Sequence, residues 1–317
     1  MSGSQEKGEE PAHHQEAPHW CPPPPAVPFV PPASAYPQET PLVLYRESSF
    51  LGEDEEMTVE AELNTPSRNI FFARHSSLMV VDVDFAPQCM FQAMRRISWA
   101  ATHGCLFHHG ACWVIVRTTH GVHLYNVGSE VPVHPSRVTS ARDRSLQEWY
   151  RTLTRQLGGD SSFAELSMKS GTRIRLSRKP TQQEGMISDF ARPGDDVFDC
   201  LQSLQKQKGC MWRLAPMILR GEGREPLDQL FVLCSWDSSP ELSLPLTNSL
   251  CFIQHCVRAL EPLQEQEGPT ANMVHRVQTD PVFRREVEDV LERSTHHFVA
   301  AQSCEAVVEV VREGEKQ

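Results

Sequence analysis

Apolar residues along this chain recur at two spacings, and the change from one to the other marks out its elements. From Leu42 the period is two. Leu42-Val43-Leu44-Tyr45, the alternating Met57, Val59, Ala61 and Leu63, the run Asn69-Ile70-Phe71-Phe72, and Ser77 through Phe85 predict successive β-strands. The acidic Gly52-Glu53-Asp54-Glu55-Glu56 between the first two reads as a solvated loop. Pro87 then suits a first helical turn, and Met90, Phe91, Met94 and Ile97 follow at the spacing of one apolar helix face, which ends near Gly104. Cys112 to Val116 and Val122 to Val127 flank Thr118-Thr119-His120-Gly121 as a hairpin. Leu146, Trp149, Tyr150, Leu153 and Leu157 return to helical spacing before Gly158-Gly159, a natural stop.

Residues 42–159 thus hold a complete α/β set and are expected to form a first domain, with 160–317 a second α+β domain or a continuation of the same fold. In the second part Arg173-Ile174-Arg175-Leu176 alternates as an exposed strand. Val197, Phe198, Leu201 and Leu204 fit a short helix closed by Gly209, and Leu230 to Leu233 a buried strand. Two helices follow, one carried by Leu250, Ile253, Val257 and Leu260, the other opening at the N-cap Asp280 and Pro281. Phe298 to Val311 fits helix or strand equally. No repeat of roughly 20 to 50 residues is present, which disfavours a solenoid or propeller. The expected fold is α/β or α+β, a mixed sheet with flanking helices.

The first 41 residues break both periods. They carry Ser, Gln, Glu, His and the prolines Pro22-Pro23-Pro24-Pro25, Pro28, Pro31-Pro32 and Pro37, too few apolar side chains to offset the entropy of ordering. A disordered, proline-rich N-terminal arm with polyproline II character is expected. No Lys or Arg beside the tract orients an SH3-type contact, and no Pro-Pro-x-Tyr suits a WW-type one, so it reads as a spacer.

Composition narrows the function. A chain of 317 residues with 39% hydrophobic side chains can bury one large core or two modest ones. A net charge of -11 disfavours a surface built throughout for nucleic acid or anionic lipid, while leaving room for a local basic patch. No apolar run reaches the roughly 18 residues of a membrane span, and residues 1–20 lack the apolar core of a signal peptide. Ten cysteines set mostly in apolar stretches, as in Phe231-Val232-Leu233-Cys234, read as reduced core thiols. A cytoplasmic or nuclear location is expected.

Three constellations carry candidate chemistry. His103, Cys105, His108, His109 and Cys112 lie within ten residues and are the donor types zinc prefers, but without a Cys-x-x-Cys or a second paired cluster. The competing reading packs the cysteines and lets the histidines cap loops. Lys169, Arg173, Arg175, Arg178 and Lys179 form a basic stretch that sets Arg173 and Arg175 on one strand face, suited to phosphate or an acidic partner, or simply to water.

The third is Met79-Val80-Val81-Asp82-Val83-Asp84, which resembles the apolar strand and Asp-x-Asp of haloacid-dehalogenase-type phosphatases. Trp113 to Thr118 resembles the strand that ends in their phosphate-binding Thr, and Gly194 to Asp199 their late acidic motif. The resemblance implies Asp82 as nucleophile, Asp84 as acid/base and Mg²⁺ on the phosphate oxygens. Phe85 stands where that family has Thr or Val, and Arg192-Pro193 precedes Gly194 in place of an apolar strand. The residues alone favour a plain strand whose Asp82 and Asp84 alternate toward solvent while Val81, Val83 and Phe85 face the core. No Gly-x-Ser-x-Gly, His-Glu-x-x-His or phosphate-cradling glycine loop occurs.

The leading expectation is a non-enzymatic adaptor or complex subunit that binds a protein partner and needs no cofactor. A Mg²⁺-dependent phosphoryl-transfer enzyme using Asp82 is the alternative from another class. A nucleic-acid-associated protein using the basic strand at 169–179 is the third.

Overall fold

Two antiparallel sheets, each completed by strands from distant parts of the chain, organise the molecule. A computed structural model describes residues 41–48, 55–62, 70–177, 189–220, 226–237, 242–267, 273–295 and 299–300. The proline-rich arm, Arg178, Lys179 and most of the C-terminal tail lie outside these. In chain order the strands are β1 (Leu42–Ser48), β2 (Glu55–Glu62), β3 (Ile70–His75), β4 (Val80–Asp84), β5 (Trp113–Arg117) and β6 (Gly121–Asn126). They continue with β7 (Thr172–Arg175), β8 (Asp189–Phe190), β9 (Trp212–Arg220), β10 (Pro226–Ser235) and β11 (Val299–Ala300). The helices are α1 (Met90–Thr102), α2 (Ala141–Leu157), α3 (Ser161–Ser170), α4 (Asp196–Gln205), α5 (Leu244–Glu267), α6 (Met273–Thr279) and α7 (Pro281–Thr295).

The smaller sheet has the order β1-β2-β3-β7, and the larger β11-β9-β10-β5-β6-β4, with β8 also on β5. The mixed α+β class with flanking helices is thus the observed one. Both sheets cross the boundary at 159/160: β7 pairs with β3, and β10 with β5. Residues 39–317 form one compact unit.

Period-two alternation gives the larger sheet two apolar faces. Met79, Val81, Val83, Trp113, Ile115 and Leu124 pack against Ala93, Met94 and Ile97 of α1, Tyr150 and Leu153 of α2, and Phe198 and Leu201 of α4. Val80, Val114, Val116 and Val232 face the other way, into a core shared with Val59, Phe71 and Ile174 of the smaller sheet and with Ile253, Val277 and Val287 of α5 to α7. Buried on both sides, the central strands read as continuous apolar runs.

Local chemistry ends the helices where expected. Ser140 and Asp143 form a reciprocal capping box on α2, and Gly158 closes it at φ 73°. Asp280 accepts from the backbone N–H groups of Val282 and Phe283 at the start of α7.

Four expectations change. Glu55 and Glu56 open β2 instead of lying in a loop, and burial, then the nearby Glu130, raises the Glu56 carboxyl above its usual range. Phe91 is 52% exposed, because the buried stripe of α1 is Ala93, Met94, Ile97, Ala100 and Ala101, and Phe91 lies off it. α3 and β9 are additional elements, and three helices, not two, follow β10. The 173–176 strand is half-covered: Thr172 and Ile174 are buried, and Arg173 and Arg175 are intermediate.

Candidate functional site

β4 and β5 both pair antiparallel with β6, so they run in the same direction on either side of it. Their C-terminal ends therefore meet at one sheet edge, where the N–H of Thr118 donates to the carbonyl of Gly121 at 3.0 Å and that of Phe85 to His120 at 2.8 Å. Beneath this edge, between β4 and β6 on one side and β7 and α5 on the other, lies a cavity of about 190 Å³. Asp82, Asp84, Thr118, His123, Tyr125, Arg173, Arg175 and Gln254 supply its polar lining, and Val80, Phe163, Ile253 and Val257 much of the rest.

Cross-strand register builds its central feature. Asp82 stands directly opposite His123, and Val80 opposite Tyr125. Asp82 Oδ1 and His123 Nε2 are 3.3 Å apart, and His123 Nδ1 lies 3.3 Å from the Tyr125 hydroxyl. The ring nitrogen is near Asp82 Oδ1 but not in line with it, and that buried oxygen takes no hydrogen bond. Burial, and after it the Asp82 charge, pushes the Tyr125 phenol well above its ordinary range, so Tyr125 stays neutral.

The arginines of β7 are placed differently from each other. Arg173 forms an ion pair with Glu62, and its guanidinium lies 3.8 Å over the Phe72 ring. Arg175 is drawn down to about 10 by burial, and its Nε donates to the carbonyl of Ser177 at 2.7 Å.

The structure brings together Asp82, Asp84 and Thr118 from two of the phosphatase-like patches, along with Arg173 and Arg175. The third patch lies elsewhere. Asp196 accepts from Arg117 Nε at 3.2 Å, Asp195 from the Arg192 N–H at 2.7 Å and Asp199 from the Gly194 N–H at 3.1 Å, so this patch organises the start of α4. His123, Tyr125 and Gln254 were not among the expected site residues. The pairing of His123 and Tyr125 two positions apart in an otherwise apolar strand was their one local signal.

The His/Cys constellation is dispersed. His103 stacks on Trp99 with ring centroids 4.2 Å apart, and its Nδ1 lies 2.7 Å from the Trp99 carbonyl. His108 and His109 stand edge-on to Trp149, Cys105 offers its carbonyl to the Trp149 indole, and Cys112 is buried. Among the described residues no three or more His, Cys, Asp or Glu side chains gather closely enough to hold a metal ion. Nor is any described helix long and apolar enough to cross a membrane.

A second surface was not expected at all. Phe91, Arg95, Trp99 and His103 recur at four-residue intervals along the outside of α1, with Trp99 54% exposed. Arg95 lies 5.9 Å over the Phe91 ring. A groove of about 440 Å³ lined by Gln92, Arg95, Arg96, Trp99 and Gln156 flanks one side, toward α2. Another of about 200 Å³ runs past Trp99 and His103 to Lys208 and Cys210 on the other. α1 contains no acidic residue, and among the described residues no carboxylate pairs with Arg95. Arg96 has a structural place, its Nη1 lying over Gly158 at the C-terminal end of α2.

No family model, no curated protein and no solved structure matches this chain.

Proposed function

We propose that the protein acts by binding another protein, without catalysis of its own, and that it docks through the outer face of α1. The observation that carries this reading is Trp99, half-exposed between two grooves, in line with Phe91 and beside Arg95, which pairs with no carboxylate among the described residues. Tryptophan and arginine are the residues whose burial contributes most at protein interfaces. The packing of α1 onto the sheet is supplied by its other face, through Ala93, Met94, Ile97, Ala100 and Ala101.

Charge supports the kind of partner. α1 and the adjoining Gln205–Cys210 segment contribute Arg95, Arg96, Lys206 and Lys208 and no carboxylate, on a chain of net charge -11. The complementary ligand is an acidic segment with apolar side chains, whose carboxylates meet the guanidinium of Arg95 while its apolar groups cover Trp99 and Phe91. The proline-rich arm would serve as tether or secondary contact.

The test is fluorescence polarisation of a labelled peptide alternating Glu or Asp with Leu and Phe, beside a Gln/Asn version of the same length. Binding to the acidic peptide should weaken at least tenfold in Trp99→Ala and in Arg95→Glu, and with added salt. Equal binding of the two peptides, or unchanged affinity in both variants, would overturn the reading.

A further inference from the structure

Independently of the α1 surface, the cavity under β4 and β6 has the chemistry of a ligand site. We propose that it binds a small aliphatic amine, with Asp82 as the anchor for the ammonium group. Asp82 is largely enclosed, yet its buried Oδ1 accepts no hydrogen bond, and a single ring nitrogen, His123 Nε2, lies beside it at 3.3 Å. An enclosed carboxylate oxygen without a donor is costly, and the cost is removed when a ligand brings one.

The positive charges nearby do not fill this role. Arg173 is committed to Glu62 on β2, two strands away in its own sheet, and Arg175 Nε to the Ser177 carbonyl. Asp84, exposed at the end of β4, adds a second negative charge to the lining. Val80, Phe163, Ile253 and Val257 offer an apolar bed for an alkyl chain, and a volume of about 190 Å³ suits a small organic molecule rather than a single water. Tyr125, held neutral, also lines the cavity and brings no competing charge.

Isothermal titration of the full-length protein with n-butylamine, 1-butanol and butyrate at neutral pH tests the proposal. Saturable binding of butylamine alone is expected. It should weaken at least tenfold in Asp82→Asn, which preserves size, and in Val257→Phe, which fills the cavity without altering charge; circular dichroism verifies that each variant is folded. Should Asp82→Asn not fold, Val257→Phe decides. Absence of saturable heat with butylamine, retention of its binding in the folded variants, or binding of butyrate in its place would each overturn the assignment.

Discussion

Nε2 of His75 lies 3.3 Å from Oγ of Ser249, joining the end of β3 to α5 through the core. The other ring nitrogen, Nδ1, accepts the backbone N–H groups of Ser77 and Leu78 at 3.0 Å each. That nitrogen must stay unprotonated to accept them, and burial, then the charge of Arg137, lowers the imidazole from 6.5 to about 3. The folded chain therefore refuses a proton that the unfolded chain takes up below its ordinary value. Stability is fully present above that value and is lost as pH falls toward the folded one. Urea denaturation between neutral pH and pH 4.5 should show a slope of up to about 1.4 kcal/mol per pH unit from this group. His75→Gln should flatten that share, whatever its effect on absolute stability; an identical slope in the variant would refute the assignment.

Two glycines should respond differently to a methyl group. A Cβ on Gly121 would fall 2.0 Å from the Val83 carbonyl oxygen and 2.9 Å from the Asp84 Cα, both backbone atoms of β4 that cannot step aside. Gly121→Ala should cost about 3 kcal/mol and spread β4 from β6. Gly209 has a φ of +84° but nothing within 4 Å, so Gly209→Ala should cost only the left-handed backbone term, about 1 kcal/mol. Denaturation midpoints of the two variants measure the contrast.

Tyr150 donates its buried hydroxyl to the carbonyl of Val80 at 2.5 Å, tying α2 to β4. Tyr150→Phe keeps the ring and strands the polar partner, and should lower stability by about 1–2 kcal/mol. Thermal and urea unfolding of the variant should agree on that loss.

Thiol reactivity should follow burial. Cys89 is exposed, while Cys112, Cys234, Cys251 and Cys256 are buried, and burial pushes the Cys256 thiol far above its normal range. Alkylation at mildly alkaline pH, read by peptide mass spectrometry, should modify Cys89 rapidly and the four buried positions only at the rate of unfolding.

Much of the fold was legible because its signals are local. The hairpin around His120, the stop at Gly158 and the N-cap at Asp280 each follow from a few adjacent residues. α3 was missed because Ser161–Ser170 buries only Ala164, Ser167 and Met168, too little for an apolar period. β9 was hidden by Pro216, which argues against a strand interior; it is tolerated because, among the described residues, β11 pairs with β9 at Leu219 and Arg220 and not at Pro216. α5 runs on past its last apolar marker, Leu260, and through Pro262 to Glu267. The cavity was legible only in part: Asp82, Asp84, Thr118, Arg173 and Arg175 stood out one by one, while His123, Tyr125, Gln254 and the convergence of all of them did not. It joins Asp82, His123, Arg175 and Gln254, and no spacing within one element encodes a neighbourhood set by the pairing of remote strands.

That remote pairing bears on how the protein is made. A chain growing from its N-terminus completes β3 and β5 long before Arg175 and Val232 exist to occupy their open sides. At ribosomal speeds of roughly 5–20 residues per second, those strand edges wait on the order of ten seconds for their partners. During that interval Phe72 and Val114 sit on unfilled edges able to pair with any other extended chain. Chaperone occupancy on the nascent polypeptide should accordingly peak after β5 emerges and fall once β10 has been synthesised.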